Sequence, residues 1–211
     1  METLGTFARG FLLGLSIAAA VGPISLLCIR KTLAHGRLAG FVCGMGAATA
    51  DALYGCVAAF GLTWASELLV ERQLWLRLIG GLFLIYLGAR TILDGSVRGA
   101  APTAAPDATG LAKSYASTFV LTVANPMTIL SFAAIFAGLG LGGISGGYAL
   151  AAVLVAGVFA GSGLWWLVLS TGVGLLRSKL GPVVLGWINR ASGALILGFG
   201  VASLAGLLDK L

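Results

Sequence analysis

Residues 114 through 176 carry no charged side chain, and that one run decides where this chain can live. No small soluble domain can hide so long an apolar segment. A helix crosses the hydrocarbon of a bilayer with roughly 20 apolar residues, so the run holds two spans. The stretch GLGLGGISGG at 138–147 is the turn expected between them. Elsewhere the charges also divide the chain. Residues 10–29 and 191–208 carry none, 38–66 carry only Asp51, and 73–93 carry only Arg77 and Arg90. Backbone polar groups in lipid must be paired within the protein, and helices do this segment by segment. The pattern predicts an all-α membrane protein with six transmembrane helices at about 7–29, 38–63, 73–93, 114–137, 147–171 and 185–208.

Composition agrees and closes off other classes. Of 211 residues, 59% are hydrophobic and 9% charged, against about 25% charged in soluble domains. A soluble enzyme or binding module is excluded. The formal charge of +6 is scattered between apolar runs, so it offers no patch for nucleic acid. Cys28, Cys43 and Cys56 are odd in number and lie in apolar runs, which is no disulfide framework. Arg9, the following apolar stretch and Ala18–Ala20 look like a secretory leader. The apolar run continues to Ile29 and further spans follow, so the segment reads as a span.

Lys and Arg set orientation, because basic connections stay in the cytoplasm. Arg30, Lys31 and Arg37 lie between spans 1 and 2, Arg90, Arg98 and Lys113 between 3 and 4, and Arg177, Lys179 and Arg190 between 5 and 6. The other side has Arg9, Arg72, Arg77 and Lys210. Both termini are therefore expected outside. Trp64, Trp75 and Trp187 fall at aromatic-belt positions. Arg30, Lys31 and Arg37 read as orientation signals that touch anionic lipid.

The chain repeats itself. The polar segment 94–113 reads as a flexible cytoplasmic linker between units 1–93 and 114–211. PISLLCI, from Pro23 to Ile29, aligns with PMTILSF, from Pro126 to Phe132. Trp75, Gly81 and Gly88 share their spacing with Trp187, Gly193 and Gly200. Each unit has three spans, an odd number, so the second enters the membrane upside down. The expectation is two inverted three-helix repeats, an architecture of secondary transporters.

Helices 1 and 4 carry the matched prolines, and each proline breaks its helix by removing a donor and clashing with a carbonyl four residues earlier. Pro23 frees the carbonyl of Ala19 and Pro126 that of Thr122. Non-helical backbone at membrane depth persists where it is buried or lines a cavity. Gly22 precedes the first proline and Asn125 the second, while Ser25 and Thr128 follow at equivalent positions. The half-helix N-termini suit a carboxylate. Asp51 is the acid deep in a span. A charge at that depth costs roughly 2.5–3.5 kcal/mol on insertion scales and marks a pathway or proton relay. Tyr54, three residues on, shares its face and is placed to reach the carboxylate. A packing kink and a buried helix-joining Asp are the plainer readings of the same residues.

Small residues recur every four positions at Gly10 and Gly14, at Gly40, Gly44, Ala48 and Ala52, at Gly157 and Gly161, and at Ala194, Gly198, Ala202 and Gly206. They read as packing seams within the chain or between the subunits of a homodimer. Trp165 and Trp166 read as packing or interfacial residues. His35 is the sole histidine and no cluster has metal-ligand spacing. No phosphate-cradling loop for ATP occurs, and no cofactor site or nucleophile–base pair stands out.

The run GPISLLCIRKTLAHGRLAGFVCGMGAATADALYGCVAAFGL resembles the lysine exporter (LysE/RhtB) family of bacterial amino-acid exporters. The shared features are Gly22-Pro23, Arg30, Gly36-Arg37-Leu38-Ala39-Gly40 and the central Asp51. IGGLFLIYLGART at 79–91 is similar to the family's third helix, and Asn125-Pro126 to its Asn-Pro motif. Two departures touch the cargo region: Val21 and Ile24 flank Gly22-Pro23 where the family often has Pro-Gly-Pro and a polar residue, and Met127 stands where it often has lysine. The resemblance implies gradient-driven export of amino acids or related small metabolites from the bacterial cytoplasm across the inner membrane. The cargo would be held by Gly22, Pro23, Ser25, Tyr54, Asn125, Pro126 and Thr128, with Asp51 carrying the coupling proton. Thiol-redox electron transfer, metal-ion export and a non-transporting scaffold are alternatives. The first is opposed by the lack of cysteine in the second unit, and the second by the lack of soft or clustered ligands.

Overall fold

A computed structural model describes residues 2–20, 22–60, 73–93, 107–125, 128, 132, 147–177 and 182–208. Among them there are seven helices and no strand: α1 (Glu2–Ala19), α2 (Pro23–His35), α3 (Arg37–Ala59), α4 (Gln73–Leu93), α5 (Ala108–Val123), α6 (Gly147–Arg177) and α7 (Pro182–Leu208). Arg37–Ala59, Gly147–Arg177 and Gly186–Ala205 are long and apolar enough to cross a membrane, and α1 with α2 forms a fourth candidate bent by 78°. α4 contributes a shorter apolar helix, Leu78–Leu93. The expected span 114–137 is described only to Asn125 and at Thr128 and Phe132, so Pro126 lies outside the described residues. So do Trp64, Arg72, most of the 138–147 turn and residues 94–106 of the linker.

Two boundaries differ from expectation. The first span was expected to end at Ile29, but α2 continues to His35, so Arg30 and Lys31 belong to a helix. The guanidinium of Arg30 donates to the hydroxyl of Thr91, tying α2 to α4. A single residue, Gly36, joins α2 to α3 with φ 91° and ψ 175°, a conformation open to glycine and strained for other residues. The second difference is at α5, which begins at Ala108 rather than Ser114. Asp107 caps it by accepting from the Gly110 N–H at 2.8 Å, so the end of the expected linker is helical. An aspartate at this position satisfies one of the donors that a helix start leaves unpaired.

α3 is central. It packs on α2, α5 and α6, while α1 lies along α6 and α4 along α7. Small residues make the close approaches. A Cβ on Gly10 or Gly14 would overlap the carbonyls of Leu154 or Val158 on α6, and one on Gly157 or Gly161 would overlap those of Phe7 or Phe11 on α1. On α7 the expected small residues do not form a seam within the chain among the described residues. Gly198 has open space and Ala194 and Ala202 are exposed. The contact face is carried instead by Gly193 and Gly200. A Cβ on Gly200 would stand 2.9 Å from the carbonyl oxygen of Gly81, and one on Gly88 would stand 2.8 Å from that of Gly193. These are the glycines matched by spacing between the two units, and they meet in reverse order. The outward face of the bundle is apolar, with Leu12, Leu53, Ile79, Leu82 and Phe159 among its exposed side chains. Trp75 and Trp187, matched in the repeat, are 58% and 69% exposed, as membrane-interface anchors are.

Candidate translocation site

The bend between α1 and α2 opens the site. Gly22 caps α2 in an extended conformation and Pro23 is its first helical residue, with no side chain capping the first turn. Proline is at home there, because its missing N–H is one of the four that a helix start leaves unpaired. Ser25 folds back and donates to the Ala20 carbonyl at 3.4 Å. The next N–H to find a helical partner is that of Leu26, bonded to the Gly22 carbonyl at 3.2 Å.

α5 ends on the other side of the same space. The carbonyl of Thr122 was expected to be freed by Pro126, but the Asn125 N–H bonds to it at 3.1 Å. The Thr122 hydroxyl is turned inward to the Thr118 carbonyl at 2.8 Å, the back-bonding that lets a threonine sit in an apolar helix. Beyond Asn125, Thr128 and Phe132 are buried. Phe132 stacks on Tyr54 with ring centroids 5.4 Å apart.

A cavity of about 480 Å³ lies between these elements. Of the residues expected to form the site, it is lined by Gly22, Pro23, Ser25, Asp51, Asn125 and Thr128. Tyr54 is not on its wall. The phenol, expected to reach Asp51, donates instead to the backbone carbonyl of Val123 at 2.6 Å. The reason is geometric: one turn along α3, the ring is drawn into the apolar cluster of Phe132, Ala151, Leu154 and Val158, and its hydroxyl emerges at the unpaired end of α5.

Asp51 is 3% exposed. Ser162, fully buried on α6, donates to its Oδ2 at 2.7 Å, and the Trp166 indole donates to the Ser162 oxygen at 3.2 Å. Ser162 was not singled out from the sequence, and Trp166 was read there for packing alone. Ser162 directly follows Gly161 of the α1–α6 seam, and a serine beside such a seam in an uncharged span was the available signal. Trp166 packs as expected, with Gly44 leaving room for its ring, but it also walls the cavity.

A second polar cluster lies off the cavity. The Cys28 thiol donates to the Cys43 sulfur at 3.4 Å, and Cys43 is 2.9 Å from the Thr118 hydroxyl. It joins α2, α3 and α5. No group of three or more His, Cys, Asp or Glu placed to hold a metal ion occurs among the described residues.

A bundle of apolar helices with a lipid-facing perimeter and an acid-bearing internal cavity defines a class, the membrane translocators. The chain belongs to the LysE type translocator family, which matches residues 15–206. It is 29% identical over 203 residues, 93% of this chain and 94% of the other, to the Bacillus subtilis (strain 168) protein named "Putative amino acid efflux protein YcgF". No solved structure matches it. The chain is accordingly a multi-pass protein of the cell membrane and an exporter of the translocator type.

Proposed function

We propose that this protein is a secondary active exporter of amino acids or related small metabolites across the bacterial cytoplasmic membrane, coupled to protons through Asp51. The observation that carries the reading is a buried carboxyl on the wall of a cavity that also gathers Gly22, Pro23, Ser25, Asn125 and Thr128 from two separate chain breaks. An intramembrane acid is costly unless it serves a pathway, and this one faces the space a cargo would occupy. Efflux as the named activity of the Bacillus relative supports the same direction of transport.

The architecture behind it is six transmembrane helices arranged as two inverted three-helix repeats, 1–93 and 114–211, with both termini outside. The reversed meeting of Gly81 with Gly200 and Gly88 with Gly193 supports it, because equivalent helices related by a local two-fold axis meet in that way. Rocking of one repeat against the other around the cavity gives alternating access. Tyr54 supports the site from behind. A homodimer is compatible with the apolar perimeter.

The test is Asp51→Asn, isosteric and unable to ionise. In proteoliposomes with an imposed proton gradient, gradient-driven efflux should vanish while membrane insertion and folding persist. Full uphill efflux by the variant removes Asp51 from the coupling.

A further inference from the structure

We infer that the cavity holds its amino acid by the ammonium group, at Asp51, and selects for an uncharged, apolar side chain. This rests on the export reading above and adds to it the cargo class and a second ligand for Asp51 besides the proton.

The charge inventory comes first. Among the described residues lining the cavity, Asp51 is the one ionisable side chain, with no Lys, Arg or His. A dicarboxylic cargo would bring an extra negative charge to a wall whose sole ionisable group is an acid. A cargo with a basic side chain would bring two cations to a single carboxyl. A charge left unpaired in such surroundings carries a large desolvation penalty. The zwitterion with an uncharged side chain is the species whose charges match the cavity.

Its two charged ends have separate places. Ser162 engages Oδ2 of Asp51, and Oδ1 has no hydrogen-bond partner among the described residues, so a carboxyl on the cavity wall keeps one oxygen open to an ammonium. The cargo carboxylate finds the first turn of α2. Its N–H groups at Ile24 and Ser25 precede the first helical backbone bond, at Leu26, and no side chain caps them. Helix starts of this kind attract anions, and Gly22, Pro23, Ile24 and Ser25 all line the cavity.

Apart from the uncharged Thr122, Asn125, Thr128 and Ser203, the remaining wall is apolar, with Ile17, Leu84, Leu121, Trp166 and Phe199 on it. The volume of about 480 Å³ lies within the ordinary range for small-molecule sites. A branched or aromatic side chain gains contact there, and a charged one meets no further ionisable group among the described residues. Because proton and ammonium need the same open oxygen, Asp51 holds one or the other. That exclusion couples cargo leaving to proton entering.

The test is efflux from proteoliposomes of the wild-type protein loaded with each of the twenty amino acids in turn, and with 2-hydroxy-4-methylpentanoate, which is leucine with a hydroxyl in place of the ammonium. Leucine, isoleucine, valine or phenylalanine should leave at least tenfold faster than lysine, arginine, glutamate or aspartate. The hydroxy acid should leave no faster than from protein-free vesicles. Charged amino acids moving as fast as the apolar ones, or the hydroxy acid moving with leucine, overturns the inference and leaves the exporter standing. No movement of any amino acid overturns the export reading, and this inference with it.

Discussion

Ser162 on α6 and Asp51 on α3 share one hydrogen bond whose direction is imposed from outside the pair. The serine hydroxyl lies 2.7 Å from Oδ2, and its oxygen accepts the Trp166 indole N–H at 3.2 Å. An indole N–H donates only, so the serine proton is left to point at Asp51. Oδ2 is thereby engaged as an acceptor, and Oδ1 is the oxygen with no hydrogen-bond partner among the described residues.

Removing the donor should therefore move the pH dependence of transport. Hydrogen bonds to charged groups contribute about 1.5–3 kcal/mol, and 1.36 kcal/mol corresponds to about one pH unit. Ser162→Ala leaves the ionised carboxylate without its donor, so protonation persists to higher pH. The midpoint of the efflux profile should rise by about one unit, and Trp166→Phe should produce a smaller shift in the same direction. Ser162→Thr, which keeps the hydroxyl, should restore the wild-type profile. Efflux measured across external pH in proteoliposomes decides it, and an unchanged midpoint in Ser162→Ala removes the serine from that role.

Tyr54 gives a contrasting expectation. Its phenol ties α3 to the end of α5 through the Val123 carbonyl at 2.6 Å, and its ring stacks on Phe132. Tyr54→Phe keeps the stack and loses the bond, a cost of about 1 kcal/mol. Melting in detergent should fall by about 2–4 °C, with cargo KM unchanged. A raised KM at unchanged melting temperature would put the hydroxyl on the cargo after all.

Much of this arrangement was legible from residues alone. The charge-free runs located the helices, and Pro23 marked the bend because a proline cannot sit in a continuous hydrogen-bond ladder. Gly22, Ser25, Asn125 and Thr128 were drawn to one site by matching the two units, and Asp51 by being an acid deep in a span; all five line one cavity. What the sequence withheld was rotation. Asp51 and Tyr54 share a helical face by spacing, but which neighbour each meets depends on how α5 and α6 dock against α3. That docking is set by glycines whose partners lie far away in the chain. Ser162 stayed hidden for the same reason, since only the packing of α6 on α3 brings it to the carboxyl. On α7 two small-residue registers were available, and contact with α4 selects Gly193 and Gly200 for the seam within the chain.

The cysteines should prove structural. Cys28 and Cys43 are buried free thiols hydrogen-bonded to each other, and Cys43 also to Thr118, and the cluster stands apart from the cavity. A bulky maleimide should label neither in the folded protein and both after denaturation. Serine at 28, 43 and 56 keeps hydrogen-bonding groups at all three positions, so this variant should retain more than half of wild-type efflux. Loss of transport without loss of folded protein would reopen a thiol-redox role.

The glycine contacts permit the sharpest separation, because the same substitution should have opposite effects at neighbouring sites. A Cβ on Gly14 overlaps the Val158 carbonyl, and one on Gly161 overlaps that of Phe11. Backbone cannot turn aside as a flexible side chain can, so alanine at either position must push α1 and α6 apart. Overpacking of this sort costs about 1–3 kcal/mol. Gly172 on the same α6, and Gly198 on α7, have open space around the Cβ position, and there alanine gains helix propensity of roughly 0.8–1 kcal/mol over glycine. Gly14→Ala and Gly161→Ala should lower the melting temperature in detergent, while Gly172→Ala and Gly198→Ala should hold or raise it. The α4–α7 contact makes the same prediction for the matched pair: Gly88→Ala and Gly200→Ala should both destabilise, and by similar amounts, because each glycine faces the other unit's backbone across one seam. Destabilisation by Gly198→Ala with tolerance at Gly200 would show α7 turned to the other register, and with it the loss of the reversed glycine contacts that support the inverted repeat.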